Sequence, residues 1–125
     1  MIMLSKEQVK RLHSKMIEST GGSDGIRDEG LLDSALAAPF QTFDGTELYP
    51  SVITKIVRMA YSLVCNHPFV DGNKRIGMYV LLVLLELNHI EVDLTDDDII
   101  RIGLELAASE MDYPQLLEFI LNSAK

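Results

Sequence analysis

The stretch from about Gly72 to Asn88 constrains the fold more than any other part of the chain. Ile76, Met78, Val80, Leu81, Leu82, Val83, Leu84, Leu85 and Leu87 leave it almost no polar face. A helix that is apolar nearly all round must be wrapped by other elements, so it is expected at the centre of the molecule. Gly77 and Glu86 interrupt it, and Ile76–Leu87 falls short of the roughly 20 residues that cross a bilayer.

The remaining segments read as helices able to do the wrapping. Ser5 with Gln8 forms a capping-box pattern, and Val9, Leu12 and Met16 follow on one face. Gly21, Gly22 and Gly25 end that helix in a loop. Asp28 caps a short helix through Leu31, Leu32, Ala35 and Leu36, stopped by Pro39. Gln41–Tyr49 lacks helical periodicity and contains the turn pair Asp44-Gly45, so an exposed loop or small hairpin flap is expected. Pro50 suits the first turn of a helix carrying Val52, Ile53, Ile56, Val57, Ala60, Leu63 and Val64 through to Asn66. Thr95 with Asp98 opens another helix, and Asp112 caps a last one through Leu116, Leu117 and Ile120. Ile90–Leu94 is the only alternating run. The expectation is all-α: residues 1–125 as a single compact domain of about six helices around a central hydrophobic helix.

Charge and cysteine usage limit the partners. With 11 basic and 19 acidic residues the net charge is −8, which argues against a basic duplex-binding surface and against direct nucleic-acid partners. A phosphate ligand must then be held by a local positive site against the global field. An apolar fraction of 47% excludes a disordered chain. The single Cys65 cannot form an internal disulfide, which fits a reducing compartment, and it is expected as a small buried residue. Met1–Leu4 is too short to supply a secretory core, so a cytoplasmic location with no membrane partner is expected.

Chemistry concentrates in His67-Pro68-Phe69-Val70-Asp71-Gly72-Asn73-Lys74-Arg75, which joins one helix to the start of the buried one. Gly72, Asn73, Lys74 and Arg75 fall in the first turn, where free N–H groups and the positive dipole end favour an anion. Gly72 permits close approach, Asn73 adds an amide donor, and Lys74 and Arg75 add full charges suited to a di- or triphosphate. Asp71 supplies a hard oxygen for Mg²⁺ beside nucleotide. His67 is the side chain best suited to remove a hydroxyl proton near neutral pH. Pro68 stiffens the loop and Phe69 anchors it in the core. Blander readings stand beside these. His67 can be a satisfied histidine, Asp71 a helix cap, and Lys74 and Arg75 solvated charges. Cations at a helix N-terminus oppose the dipole, however, and a bound anion would resolve that conflict. His13 and His89 lack metal-ligand spacing and receive no role, while Arg27 reads as a surface ion pair and Asp28 as a helix cap.

The nine residues HPFVDGNKR resemble the signature of the Fic/Doc superfamily, H-x-F-x-[D/E]-[G/A]-N-x-R. Gly25-Ile26-Arg27-Asp28, Gly30-Leu31-Leu32-Asp33-Ser34-Ala35-Leu36 and Leu48-Tyr49-Pro50 are similar to the Doc (death-on-curing) branch, so the resemblance covers nearly the whole chain. It implies a six-helix fold and the toxin of a toxin–antitoxin pair. Fic AMP-transferases usually carry Gly where this chain has Lys74, and a second Arg where it has Met78. The Lys version resembles Doc toxins, which phosphorylate a threonine of elongation factor Tu and so inhibit translation. The resemblance then implies ATP and Mg²⁺, with the γ-phosphate presented to His67 as general base. Asp71 would hold Mg²⁺ or orient the acceptor, and Gly72, Asn73, Lys74 and Arg75 would bind phosphate oxygens and stabilise transition-state charge. Gln41–Tyr49 lies where the family docks its target peptide by strand addition. Ser14–Glu18, followed by Ser19, only partly matches the self-inhibitory [S/T]-x-x-x-E-[G/N] pattern, so inhibition in trans by a Phd-like antitoxin is expected. Transfer of AMP or another NMP is the alternative reading, followed by a non-catalytic interaction protein.

Overall fold

The computed structural model describes residues 1–125. Six α-helices run in chain order: α1 Lys6–Thr20, α2 Glu29–Ala37, α3 Val52–Asn66, α4 Asn73–Leu87, α5 Asp96–Ala107 and α6 Tyr113–Ser123. All six contribute to one core, from Val9 on α1 and Leu32 on α2 to Leu116 and Ile120 on α6. None of the helices is long and apolar enough to cross a membrane.

The pair α3 and α4 forms the largest helix–helix interface, with α1, α5 and α6 packed around it. Gly77 permits the close approach of the pair. A Cβ there would overlap the Val64 side chain and come within 3.1 Å of the Ala60 carbonyl. The expected central helix is thus present, but it is not covered on every side. Tyr79 (47% exposed), Leu82, Glu86 and Leu87 face outward. Helices of 15 residues or fewer enclose most of the α4 surface and leave a strip open beside α5.

Five helix starts are capped by side chains. Ser5, Ser51, Thr95 and Asp112 form reciprocal capping boxes with Gln8, Thr54, Asp98 and Gln115, and Asp28 accepts from Leu31 N–H. Pro50 lies just outside α3 rather than in its first turn, because Ser51 provides the cap. A 3₁₀ turn, Ala38–Phe40, follows α2 and contains Pro39.

Gln41–Tyr49 forms a small hairpin, β1 Thr42–Phe43 against β2 Thr46–Glu47. Asp44 and Gly45 both have positive φ (52° and 79°), as a two-residue type I′ turn requires. Lys55 of α3, only 4% exposed, anchors the hairpin base by bonding Glu47 Oε1 at 2.9 Å and the Tyr49 carbonyl. The alternating run at 90–94 makes only an isolated bridge, Val92 to Ala124. Cys65 is exposed rather than buried, because it lies on the α3 face that the core leaves uncovered. Partial burial still pushes its thiol pKa up.

Candidate functional site

The site begins where α3 ends. His67 sits there in the left-handed conformation (φ 54°, ψ 51°), a position that helices usually give to glycine. A side chain in that conformation costs roughly 1–2 kcal/mol, so local stability does not select histidine here. The left-handed residue turns the chain sharply and leaves the imidazole exposed at the loop mouth. Arg27 holds this corner by donating Nε–H to the His67 carbonyl at 2.7 Å and an Nη2–H to the Asn66 carbonyl at 3.2 Å. It is therefore a clamp on the carbonyls at the end of α3, not the surface ion pair expected from sequence.

The following loop is held from both sides. Arg27 and Asp28 N–H groups donate to the Pro68 carbonyl, Val70 N–H donates to the Gly25 carbonyl, and Ile26 pairs with Phe69 as an antiparallel bridge. Phe69 is buried in the core, as expected. Asn73, 3% exposed, accepts from Phe69 N–H at 2.9 Å and donates to the Phe69 carbonyl at 3.0 Å. Its side-chain amide therefore braces the loop instead of facing a ligand. Only its backbone N–H remains at the helix mouth.

Gly72, not Asp71, is the α4 cap residue, and no side chain caps the helix. Asp71 is displaced from capping because its Oδ1 accepts from the adjacent Gly72 N–H at 2.8 Å. Its Oδ2 accepts from Ser23 N–H at 3.2 Å. Each oxygen keeps a free lone pair, and the residue is exposed. A single accessible carboxylate beside a phosphate-receptive helix end fits Mg²⁺ shared with a nucleotide. No group of three or more His, Cys, Asp or Glu side chains is placed to hold a metal ion.

His67, Val70, Asp71, Gly72, Asn73, Lys74 and Arg75 line one cleft of about 480 Å³, closed on the α5 side by Ala107. The structure thus brings His67, Asp71, Gly72, Asn73, Lys74 and Arg75 to one cleft, with Pro68 and Phe69 buried outside it and the Asn73 amide turned inward. Arg75 reaches across to the end of α1, donating to the Thr20 hydroxyl and, at 3.2 Å, to the Gly21 carbonyl. The glycine loop lies against the site: a Cβ on Gly22 would come within 2.6 Å of Asp71 Oδ2. Lys74 and Arg75 also border a second, apolar groove of about 420 Å³ between α4 and α5, lined by Met16, Met78, Tyr79 and Leu82 among others.

Sequence reasoning passed over His13. It is 1% exposed, stacks on Phe69 (ring centroids 3.8 Å apart, 9° between planes) and donates from Nε2 to the Asp71 carbonyl at 2.7 Å. Its partner is 58 residues away, so no local spacing could reveal the bond. His89 lies apart from this cleft, beside the Glu91 and Lys125 surface.

These features define a class: an all-α domain that presents an imidazole and an uncapped, cation-bearing helix start to one cleft. The Fic/DOC family model matches residues 3–85, which include His67–Arg75 but not Ala107 of the cleft. The chain belongs to that family. It is also similar to Toxin Doc of Mycolicibacterium smegmatis (strain ATCC 700084 / mc(2)155), at 39% identity over 72 residues. That alignment covers 58% of this chain and 55% of the relative, so the match spans about half of the relative's length.

Proposed function

We propose that this protein is the toxin of a toxin–antitoxin pair that moves the γ-phosphoryl group of ATP to a Ser or Thr hydroxyl of a protein. The observation that carries this reading is the shared cleft of His67 and the uncapped α4 start with Lys74 and Arg75. The α4 N–H groups and the two cations hold phosphate oxygens and stabilise the charge that develops on transfer. His67 takes the hydroxyl proton as the hydroxyl oxygen bonds to the γ-phosphorus and the bond to the ADP oxygen breaks. Asp71 would hold Mg²⁺ jointly with the nucleotide, and that ion would neutralise phosphate charge. Gly72 does not open an approach as expected from sequence: its N–H is taken by Asp71 Oδ1, a Cβ there would come within 3.0–3.2 Å of Met16 and Ile17, and its positive φ of 79° supplies the bend into α4.

Elongation factor Tu is the proposed target, and the hairpin at 42–47 the surface that docks its acceptor segment. The exposed hairpin edge suits strand addition. A Phd-like antitoxin is the proposed partner in trans. Its tail would fold into the apolar groove between α4 and α5, with an acidic side chain paired to Lys74 or Arg75 at the groove's end.

The test uses Mg²⁺, purified elongation factor Tu and ATP labelled separately at the α- or γ-phosphate. Label arriving from the γ-position alone supports phosphoryl transfer. Label from the α-position alone replaces it with AMP transfer, and label from neither overturns the proposed target or chemistry.

A further inference from the structure

Two of the four buried polar residues, Asn73 and His13, do the same kind of work on opposite sides of the site loop. Asn73 braces Phe69 from within α4. His13 reaches from α1 to the carbonyl of Asp71, the last peptide before the α4 cap residue. That carbonyl lies outside the α4 ladder, which starts with Ile76 N–H donating to the Gly72 carbonyl, and it has no backbone donor. An acceptor partly withdrawn from water is costly to leave unpaired, so the His13 donor, together with the Asp71 Oδ1 bond at Gly72 N–H, decides where this peptide rests. Because a carbonyl only accepts, Nε2 carries a proton in this contact. Asp24 Oδ1, which accepts from Gly25 N–H at 2.8 Å, lies 3.4 Å from Nδ1 and holds the ring from behind by accepting an Nδ1 proton when that nitrogen carries one. The Phe69 ring fixes its plane.

We infer that His13, oriented by Asp24, is a positioning residue that sets the register between His67 and the phosphate-receptive start of α4. This inference rests on the transfer reading above. The two reacting groups belong to different helices and are joined by only five residues, Pro68–Gly72. Arg27 and Gly25 hold the beginning of that link, and His13 holds its end. Without the His13 bond the Asp71–Gly72 peptide keeps only the Asp71 Oδ1 bond to its Gly72 N–H. The N–H groups of α4 then shift relative to His67. A misplacement of about 1 Å can cost roughly 100-fold in rate. Ground-state nucleotide binding through Lys74 and Arg75 is retained, so the loss falls on kcat rather than KM.

The full-length chain is compared with His13→Phe, His13→Gln and Asp24→Asn. The readouts are melting temperature, hydrogen exchange at the Gly72 and Asn73 amides, and ATP-dependent transfer kinetics. His13→Phe keeps the stack on Phe69 and lacks the donor. It is expected to exchange faster at Gly72, with kcat down roughly 100-fold and KM for ATP changed by less than about three-fold. His13→Gln, which restores an N–H donor, should recover most of the rate, and Asp24→Asn should show a smaller loss in the same direction. Unchanged exchange and kcat in His13→Phe would overturn the inference. So would equal rate losses in His13→Phe and His13→Gln that merely track melting temperature. If His13→Phe does not fold, unchanged exchange and kcat in Asp24→Asn overturn it. A wild-type chain that transfers nothing rejects the transfer reading. Faster Gly72 exchange in His13→Phe then still supports the loop-positioning role, and unchanged exchange rejects it.

Discussion

Helices α4 and α5 start under opposite rules. At α5, Thr95 and Asp98 close a capping box, and Asp96, Asp97 and Asp98 place three carboxylates against the positive end of the helix dipole. At α4 the cap is Gly72 with no side-chain bond, the first turn has no acid, and Lys74 and Arg75 stand where carboxylates would be stabilising. The residue that ends α3 before it, His67, is in a conformation that glycine adopts at less cost. The α5 start is what stability alone produces. The α4 start breaks the same rules three times within nine residues, and each departure leaves something exposed that binds or reacts. Departures from local rules that cluster in this way mark a functional site.

The most severe way to break the comparison is to give the α3 end its cheaper residue. His67→Gly is expected to lower transfer by roughly 10²–10⁴-fold. It should also raise stability by about 1 kcal/mol, as measured by denaturant unfolding, because the left-handed strain is relieved. A variant that loses stability along with activity would show that His67 is structural. Next in size is nucleotide itself. ATP with Mg²⁺ at about 100 times its dissociation constant should stabilise the wild type by ~2.7 kcal/mol in a thermal shift assay. A Lys74→Glu, Arg75→Glu double variant should show no such shift.

At the α5 end, Thr95→Ala should cost about 1 kcal/mol and leave the transfer rate unchanged. A rate loss there would blur the division between the two helix starts. Lys74→Glu alone should do the reverse, raising stability by roughly 0.3–1 kcal/mol at low salt while weakening nucleotide binding. The smallest effect concerns the loop beside the site. The Ser14 hydroxyl first, then the Gly25 N–H and the neighbouring His13, hold the Asp24 carboxyl below its ordinary range. A lowered pKa in the folded state gives stability that is present above the ordinary aspartate value near ~4 and is lost as pH falls below it. The protection factors of the amides in residues 21–25, taken relative to the intrinsic exchange rate at each pH, should therefore fall on acidification, and Asp24→Asn should abolish that fall.

Much of this was legible in the residues. The capping boxes at Ser5 and Thr95 and the cap at Asp112 are local patterns that the structure carries, and at Asp112 it adds the reciprocal bond from Gln115. The type I′ hairpin at Asp44-Gly45 is equally local. The open strip on α4 was not legible, because composition shows that a helix is apolar but not how far short neighbours reach around it. Asn73 illustrates the same limit within the site. Its type and position suited a ligand donor, yet folding turned the amide inward onto Phe69.

The chain's own order of residues determined six helices, an apolar one among them, and a loop rich in groups that bind phosphate and move protons. Those outcomes depend on spacing of three or four residues and on backbone preferences, which act over short range. Only the tertiary structure decided that His13 bonds Asp71, that Arg27 clamps the end of α3, and that the glycine loop lies against Asp71 and Arg75. These pairs are separated by some 40 to 58 residues, and hydrogen-bond geometry selects partners only after packing has brought them within about 3 Å.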